Sequence, residues 1–149
     1  MNSWWIDSAS RAVAVTAMAG AAMALLACTS MGNGTGTVSP GNAPVAFAWT
    51  SKDGGTTGTM SATLGNGAAY SGPFVQGIDT VPTDSDELPY AAYSTRLSGK
   101  VVANLKGPDS QQLRCRFHLN VPAAGMHGGG QGECQFTGGH TVDAVFPRS

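Results

Sequence analysis

The chain has 149 residues, a formal net charge of −1 and only 11% charged residues. That size suits one domain plus an appendage. It lacks the basic surplus of a dedicated nucleic-acid binder and the high net charge of a charge-driven disordered chain. Glycine supplies 21 residues without a collagen period, about twice its usual ~7% share. Each glycine costs about 1 kcal/mol against alanine inside a helix, which disfavours a helical bundle.

The first element is an uncharged run, residues 12–27, AVAVTAMAGAAMALLA, preceded by Arg11 and, further back, Asp7. A membrane-spanning helix needs roughly 20 residues, whereas the apolar region of a secretory signal needs about 7–15. The length therefore fits export better than a span. The run ends in Leu25-Leu26-Ala27-Cys28, which resembles the lipobox of bacterial lipoproteins: an aliphatic residue, a small residue, then the obligatory cysteine. The resemblance implies that residues 1–27 are a lipoprotein signal peptide. It further implies transfer of a diacylglyceryl group to the Cys28 sulfur, cleavage after Ala27, and acylation of the new amino terminus, with fatty acids of the palmitate type. More than one acyl chain makes a stable anchor. In the enterobacterial sorting rule an aspartate after the cysteine retains a lipoprotein in the inner membrane. Thr29 stands there, which implies the inner leaflet of the outer membrane, facing the periplasm.

Residues 29–44, TSMGNGTGTVSPGNAP, are dominated by Gly, Ser, Thr, Asn and Pro and show no hydrophobic period. Such composition predicts a flexible tether over residues 28–44, with a β domain over residues 45–149.

In that domain Val45, Phe47 and Trp49 share one face of a short strand, and Met60, Ala62 and Leu64 share one face of the next. Gly65-Asn66-Gly67 is a hairpin turn. The return strand carries Tyr70, Gly72 and Phe74 inward, and Pro73 predicts an edge or a strand end. Residues 76–90 read as a polar connection. Residues 93–105 read as a strand interrupted near Ser98-Gly99. Leu113, Cys115, Phe117, Leu119 and Val121 then alternate with Arg114, Arg116, His118 and Asn120, a half-buried strand signal. Its one-sided polarity predicts antiparallel pairing. A Gly-rich loop, residues 122–132, leads into a last hairpin turning at Gly138-Gly139. Residues 58–74 can be laid over 130–146 without a gap, matching Gly58 to Gly130, Gly67 to Gly139 and Phe74 to Phe146. The expected fold is all-β: a small antiparallel sheet forming a sandwich or a partly open barrel, after a signal helix and a tether.

Cys115 and Cys134 lie on the inward faces of their strands, and an exported chain meets an oxidising compartment. A disulfide between them is predicted, and a loop of that size gains about 3 kcal/mol from the bridge. Lys100, Arg114, Arg116 and His118 are expected on one outward face, able to hold phosphates or carboxylates of lipids or glycans. His118, His127 and His140 lack metal-ligand spacing, so no metal and no cofactor is expected. The loop Gly125-Met126-His127-Gly128-Gly129-Gly130 lacks the Lys-Ser/Thr of a phosphate loop. Hydrolase signatures are missing as well.

Leu113-Arg-Cys-Arg-Phe117 and Gly130-Gln-Gly-Glu-Cys-Gln-Phe-Thr-Gly-Gly-His-Thr-Val-Asp-Ala-Val-Phe146, taken with the lipobox, resemble small uncharacterised proteobacterial lipoproteins. That resemblance carries no activity with it. The expectation is a lipid-anchored periplasmic envelope protein with a non-enzymatic structural or binding role, held to the membrane by its lipid, with an envelope protein or an anionic glycan or lipid as partner and no nucleic acid. The alternative is an enzyme, or an enzyme inhibitor, acting on envelope polymers.

Overall fold

The computed structural model describes residues 28–83 and 92–149; the expected signal segment, residues 1–27, lies outside them. Eight strands follow one another: β1 Ser30–Ser39, β2 Ala43–Ser51, β3 Thr57–Leu64, β4 Ala69–Thr83, β5 Ala92–Lys106, β6 Gln112–Leu119, β7 Gly130–Phe136 and β8 Thr141–Phe146. Each pairs antiparallel with the next, and β8 returns to pair with β1, giving a closed barrel in sequence order. The all-β antiparallel expectation holds. The ring is complete, so the choice between a sandwich and a partly open barrel resolves into closure, which removes the edges of an open sheet.

Period two decides which side chains enter. On β6, Leu113, Cys115, Phe117 and Leu119 are buried while Gln112, Arg114, Arg116 and His118 are exposed. Val45, Phe47 and Trp49 enter from β2, Val101, Ala103 and Leu105 from β5, and Val142, Ala144 and Phe146 from β8. The rings interlock edge to face, Phe117 to Phe146 at 5.0 Å and Phe47 to Phe146 at 5.5 Å. Burial of each such apolar side chain contributes about 1.5–3 kcal/mol. Eight strands is the size at which side chains fill a barrel. The interior is apolar, and on β6 Arg114 and Arg116 stand outward in mid-strand.

Four expectations require correction. The segment expected as tether contains β1, which pairs with β2 from Ser30↔Ser51 to Val38↔Ala43 and with β8 from Thr35↔Val145 to Ser39↔Thr141. The barrel therefore begins at Ser30, not at residue 45. β1 shows no hydrophobic period because its inward positions are glycines. Gly32 lies under Trp49, Gly34 under Phe146 and Gly36 under Phe47 and Val142; a Cβ on Gly34 would stand 2.5 Å from the Phe146 ring. The large rings of the neighbouring strands occupy the space that β1 leaves free.

The polar connection expected from Gln76 is strand as far as Thr83. After a register shift between Gln76 and Ile78, β4 and β5 continue as a pair from Ile78↔Leu97 to Thr83↔Ala92. The pairing of β3 with β4 starts at Thr57↔Val75, and that of β5 with β6 at Lys100↔His118. The six outer pairs thus form a two-stranded arm beyond the ring. Pro73 marks neither an edge nor an end. It sits inside β4 opposite Thr59, and the pairing with β5 passes from Ser71↔Lys106 to Phe74↔Ala103 around it. A proline has no N–H to give to that ladder.

Finally, the Gly-rich loop packs as a 3₁₀ segment, Pro122–Gly128, across one mouth of the barrel. Met126 is fully buried there and its N–H donates to the Gly55 carbonyl at 3.0 Å. Gln76 Nε2 donates to the carbonyls of Ser98 and Pro122, both at 2.7 Å, tying this segment to the wall. Sequence patterning missed it because a single methionine among glycines has no period; its one signal was a large apolar residue in a loop otherwise made of small residues, Pro122 and His127.

Candidate functional site

Three neighbouring strands build the outward face on which the basic residues were expected. In register, Lys100 stands opposite His118, Val102 opposite Arg116 and Asn104 opposite Arg114. On the other flank of β6, Arg114 faces Gln135, Arg116 faces Glu133 and His118 faces Gln131. Lys100, Arg114, Arg116 and His118 are all exposed, so the structure brings the four predicted residues onto one wall. Successive outward residues on β6 are two positions apart, about 6.6–6.8 Å along the strand.

Charge is divided unevenly around the ring. β1, β2 and β3 contain no charged residue, and β4 contains Asp79 alone. β5 and β6 contain Arg96, Lys100, Lys106, Arg114 and Arg116 and no acidic residue. The acids resume at Glu133 on β7 and Asp143 on β8, which are paired with each other in register. Lys106 extends the basic wall one residue further than the sequence reading, because it lies opposite Gln112 at the far end of β5. Outward period two on β5 already implied that position.

Two of the shallow depressions on the wall meet at Arg116 and His118. One of about 490 Å³ runs between β6 and β7 over Arg114, Arg116, His118, Glu133 and Gln135. The other, about 380 Å³, runs between β5 and β6 over Lys100, Val102, Arg116 and His118. Arg116 and His118 stand between them. An arginine fork there can grip a phosphate or carboxylate with two parallel hydrogen bonds, and lysine adds a mobile point charge. Glu133, opposite Arg116, bounds the wall on the β7 side.

The three histidines occupy separate places: His118 on the wall, His127 with its ring 5.0 Å from Trp49 and its Nδ1 2.9 Å from the Ser149 hydroxyl, and His140 exposed in the β7–β8 turn. Among the described residues no group of three His, Cys, Asp or Glu side chains is placed to hold a metal ion. Cys115 and Cys134 are directly opposed in the β6–β7 register and joined by a disulfide inside the barrel, as their inward phase predicts. Cys28 is a free, exposed thiol two positions ahead of β1.

The Asp53 carboxyl is held well below the usual carboxylate range, first by the Ser51 hydroxyl and then by the hydroxyl and N–H of Thr57. Ser51 Oγ donates to it at 2.6 Å and accepts the Gly55 N–H at 2.9 Å. This arrangement shapes the loop of residues 52–56 at the mouth that Met126 fills, and it lies apart from the basic wall.

No protein-family model, curated protein or solved structure matches the chain.

Proposed function

We propose that the chain is a lipid-anchored protein of the bacterial envelope, with a non-enzymatic role in binding anionic groups on the outer wall of β5 and β6. The observation that carries the binding role is the division of charge: Lys100, Lys106, Arg114 and Arg116 and no acid on the ring portions of two adjacent strands, whereas β1, β2 and β3 carry no charge at all. The filled interior supports it further, because Phe47, Phe117 and Phe146 occupy the space a lumen ligand would need. The anchor reading is supported by the uncharged run, by Leu25-Leu26-Ala27-Cys28, and by a disulfide suited to an oxidising compartment. Thr29 favours the outer membrane.

Two measurements test this reading. Cys28→Ala should abolish palmitate labelling and release the protein from the membrane fraction; labelling that persists in the variant would overturn the anchor. For the wall, the acylated protein is offered vesicles bearing lipid A and, separately, a soluble carboxylated glycan. The first ligand supplies phosphate on a lipid and the second a carboxylate in solution. Salt-sensitive binding to either one, lost in Lys100→Ala/Arg114→Ala/Arg116→Ala, supports the reading. Undiminished binding by that triple variant, or no binding of the parent protein to either, sinks it.

A further inference from the structure

The outward residues of β5, β6 and β7 form a grid, because each strand is in antiparallel register with the next. Asn104, Arg114 and Gln135 make one row, and Val102, Arg116 and Glu133 make the row beside it. Lys106 with Gln112 closes the grid at one end, and Lys100, His118 and Gln131 close it at the other. Strands lie about 4.7–4.9 Å apart and rise about 3.4 Å per residue, so the grid is roughly 10 Å wide and 20 Å long. All of these side chains are exposed. Glu133 offsets the charge of Arg116 opposite it, whereas the neighbours of Arg114 in its row are neutral amides. The depression of about 490 Å³ over β6 and β7 adjoins another of about 410 Å³ at Arg114 and Gln135, and the second adds Gln112 and Thr137. Together they make one furrow along β6 and β7, with Arg114 where the two parts meet.

We infer that this furrow holds a carboxylated glycan chain, with a carboxylate on Arg114 and sugar hydroxyls on the amides around it. The inference rests on the anion-binding reading of the wall and names the ligand class for it. The Arg114 guanidinium is a planar fork of donors that matches a carboxylate with two parallel hydrogen bonds. A side-chain amide offers donors and an acceptor at once, and so does a sugar hydroxyl. Asn104, Gln112 and Gln135 stand around Arg114, and Gln131 extends the set along β7. A densely anionic ligand only accepts hydrogen bonds, so the amide oxygens and the Glu133 carboxylate would meet it with lone pairs. A hydroxyl-bearing chain donates to those same oxygens. Among the described residues, the side chains of Asn104, Gln112, Arg114 and Gln135 make no hydrogen bond or ion pair within the chain, so their groups are free for a ligand. The one large exposed apolar residue among those of the grid is Val102, which suits a hydrated sugar chain better than acyl chains. A length of roughly 20 Å accepts several linked sugars rather than one.

The test is calorimetry with the full-length protein in neutral detergent micelles. The probes are a hyaluronate hexasaccharide, in which uronates alternate with neutral sugars, the neutral hexamer of N-acetylglucosamine, free glucuronate, and inorganic phosphate. The hexasaccharide should bind at least about tenfold more tightly than the neutral hexamer or free glucuronate, since only it offers both kinds of group in one chain. Arg114→Ala should weaken its binding by about tenfold or more, and Gln112→Ala/Gln135→Ala by about fivefold, the double variant leaving glucuronate binding unchanged. The three positions are exposed, and an unchanged melting temperature verifies the fold of each variant. Equal affinity for the hexasaccharide and glucuronate, or a double variant that binds the hexasaccharide as the parent does, overturns the glycan inference and leaves the anion-binding reading standing. Phosphate binding without hexasaccharide binding has the same meaning. Equal affinity for the charged and neutral hexamers removes the carboxylate seat on Arg114, and no binding of any probe removes the inference and the anion-binding reading together.

Discussion

β1 and β6 perform the same task with opposite chemistry. Both are barrel strands paired on two sides, β1 with β2 and β8, β6 with β5 and β7. β6 brings Leu113, Cys115, Phe117 and Leu119 inward, whereas β1 brings Gly32, Gly34 and Gly36. A closed ring of eight strands has a fixed interior, and large side chains from every strand would overfill it. The glycines of β1 are where Trp49, Phe146 and Phe47 find room. A strand is therefore recognisable by alternation of size as much as by alternation of hydrophobicity, and only the second is audible in a hydropathy pattern.

The sharpest break of this comparison is to remove one partner. Deleting residues 30–39 would be harmless to a domain that starts at residue 45, but in the closed barrel it strips β2 and β8 of a neighbour. The expected outcome is loss of the cooperative thermal transition and exposure of the Trp49 and Phe146 rings, seen as a red shift in tryptophan emission. Retention of the parent melting curve would return this segment to the role of tether.

Next in size, Phe117→Ala should cost about 3–5 kcal/mol, the usual range for emptying a buried aromatic site, read as a fall in the denaturant midpoint. Gly34→Val tests the opposite defect. Its side chain has no space beside the Phe146 ring, and overpacking of this kind costs about 1–3 kcal/mol. Combining Gly34→Val with Phe146→Leu should recover part of that loss if the two sites share one volume; strict additivity would show that they do not. The smallest effects belong to the outward phase. Arg116→Ala on β6 and Asn33→Ala on β1 should each stay within about ±0.5 kcal/mol, measured in the same unfolding experiment. A large effect at Arg116 would mean that the basic wall serves stability as well as binding.

Much of the barrel is legible without coordinates. The inward and outward phases of β2, β3, β6 and β8 follow from side-chain alternation, and the Cys115–Cys134 bridge follows from their shared phase. The correspondence of residues 58–74 with 130–146 extends to backbone pairing. Ala62↔Tyr70 and Gly58↔Phe74 on one hairpin match Cys134↔Val142 and Gly130↔Phe146 on the other. Both turns close alike, the Leu64 N–H donating to Ala68 at 2.9 Å and the Phe136 N–H to His140 at 2.8 Å. Turn residues that accept positive φ, Gly67 and Gly139, set the register of both. The basic wall was legible for the same reason: Arg114, Arg116 and His118 share a phase, and a phase assigns a face.

By itself, then, the sequence determined the strand phases, the disulfide, the basic face and the motif at Cys28, because each depends on residues two positions apart or on a short contiguous run. Tertiary structure alone decided the closure of the ring, the place of β1 within it, the arm of β4 and β5, and the 3₁₀ segment that buries Met126 in one mouth of the barrel. Each of these depends on complementarity between segments distant along the chain. A glycine row becomes a strand only where large rings from β2 and β8 lie across it, and a polar stretch such as Ile78–Thr83 pairs only because Ala92–Leu97 returns beside it. No local pattern carries such information, since the volume that each segment fills is defined by its partners.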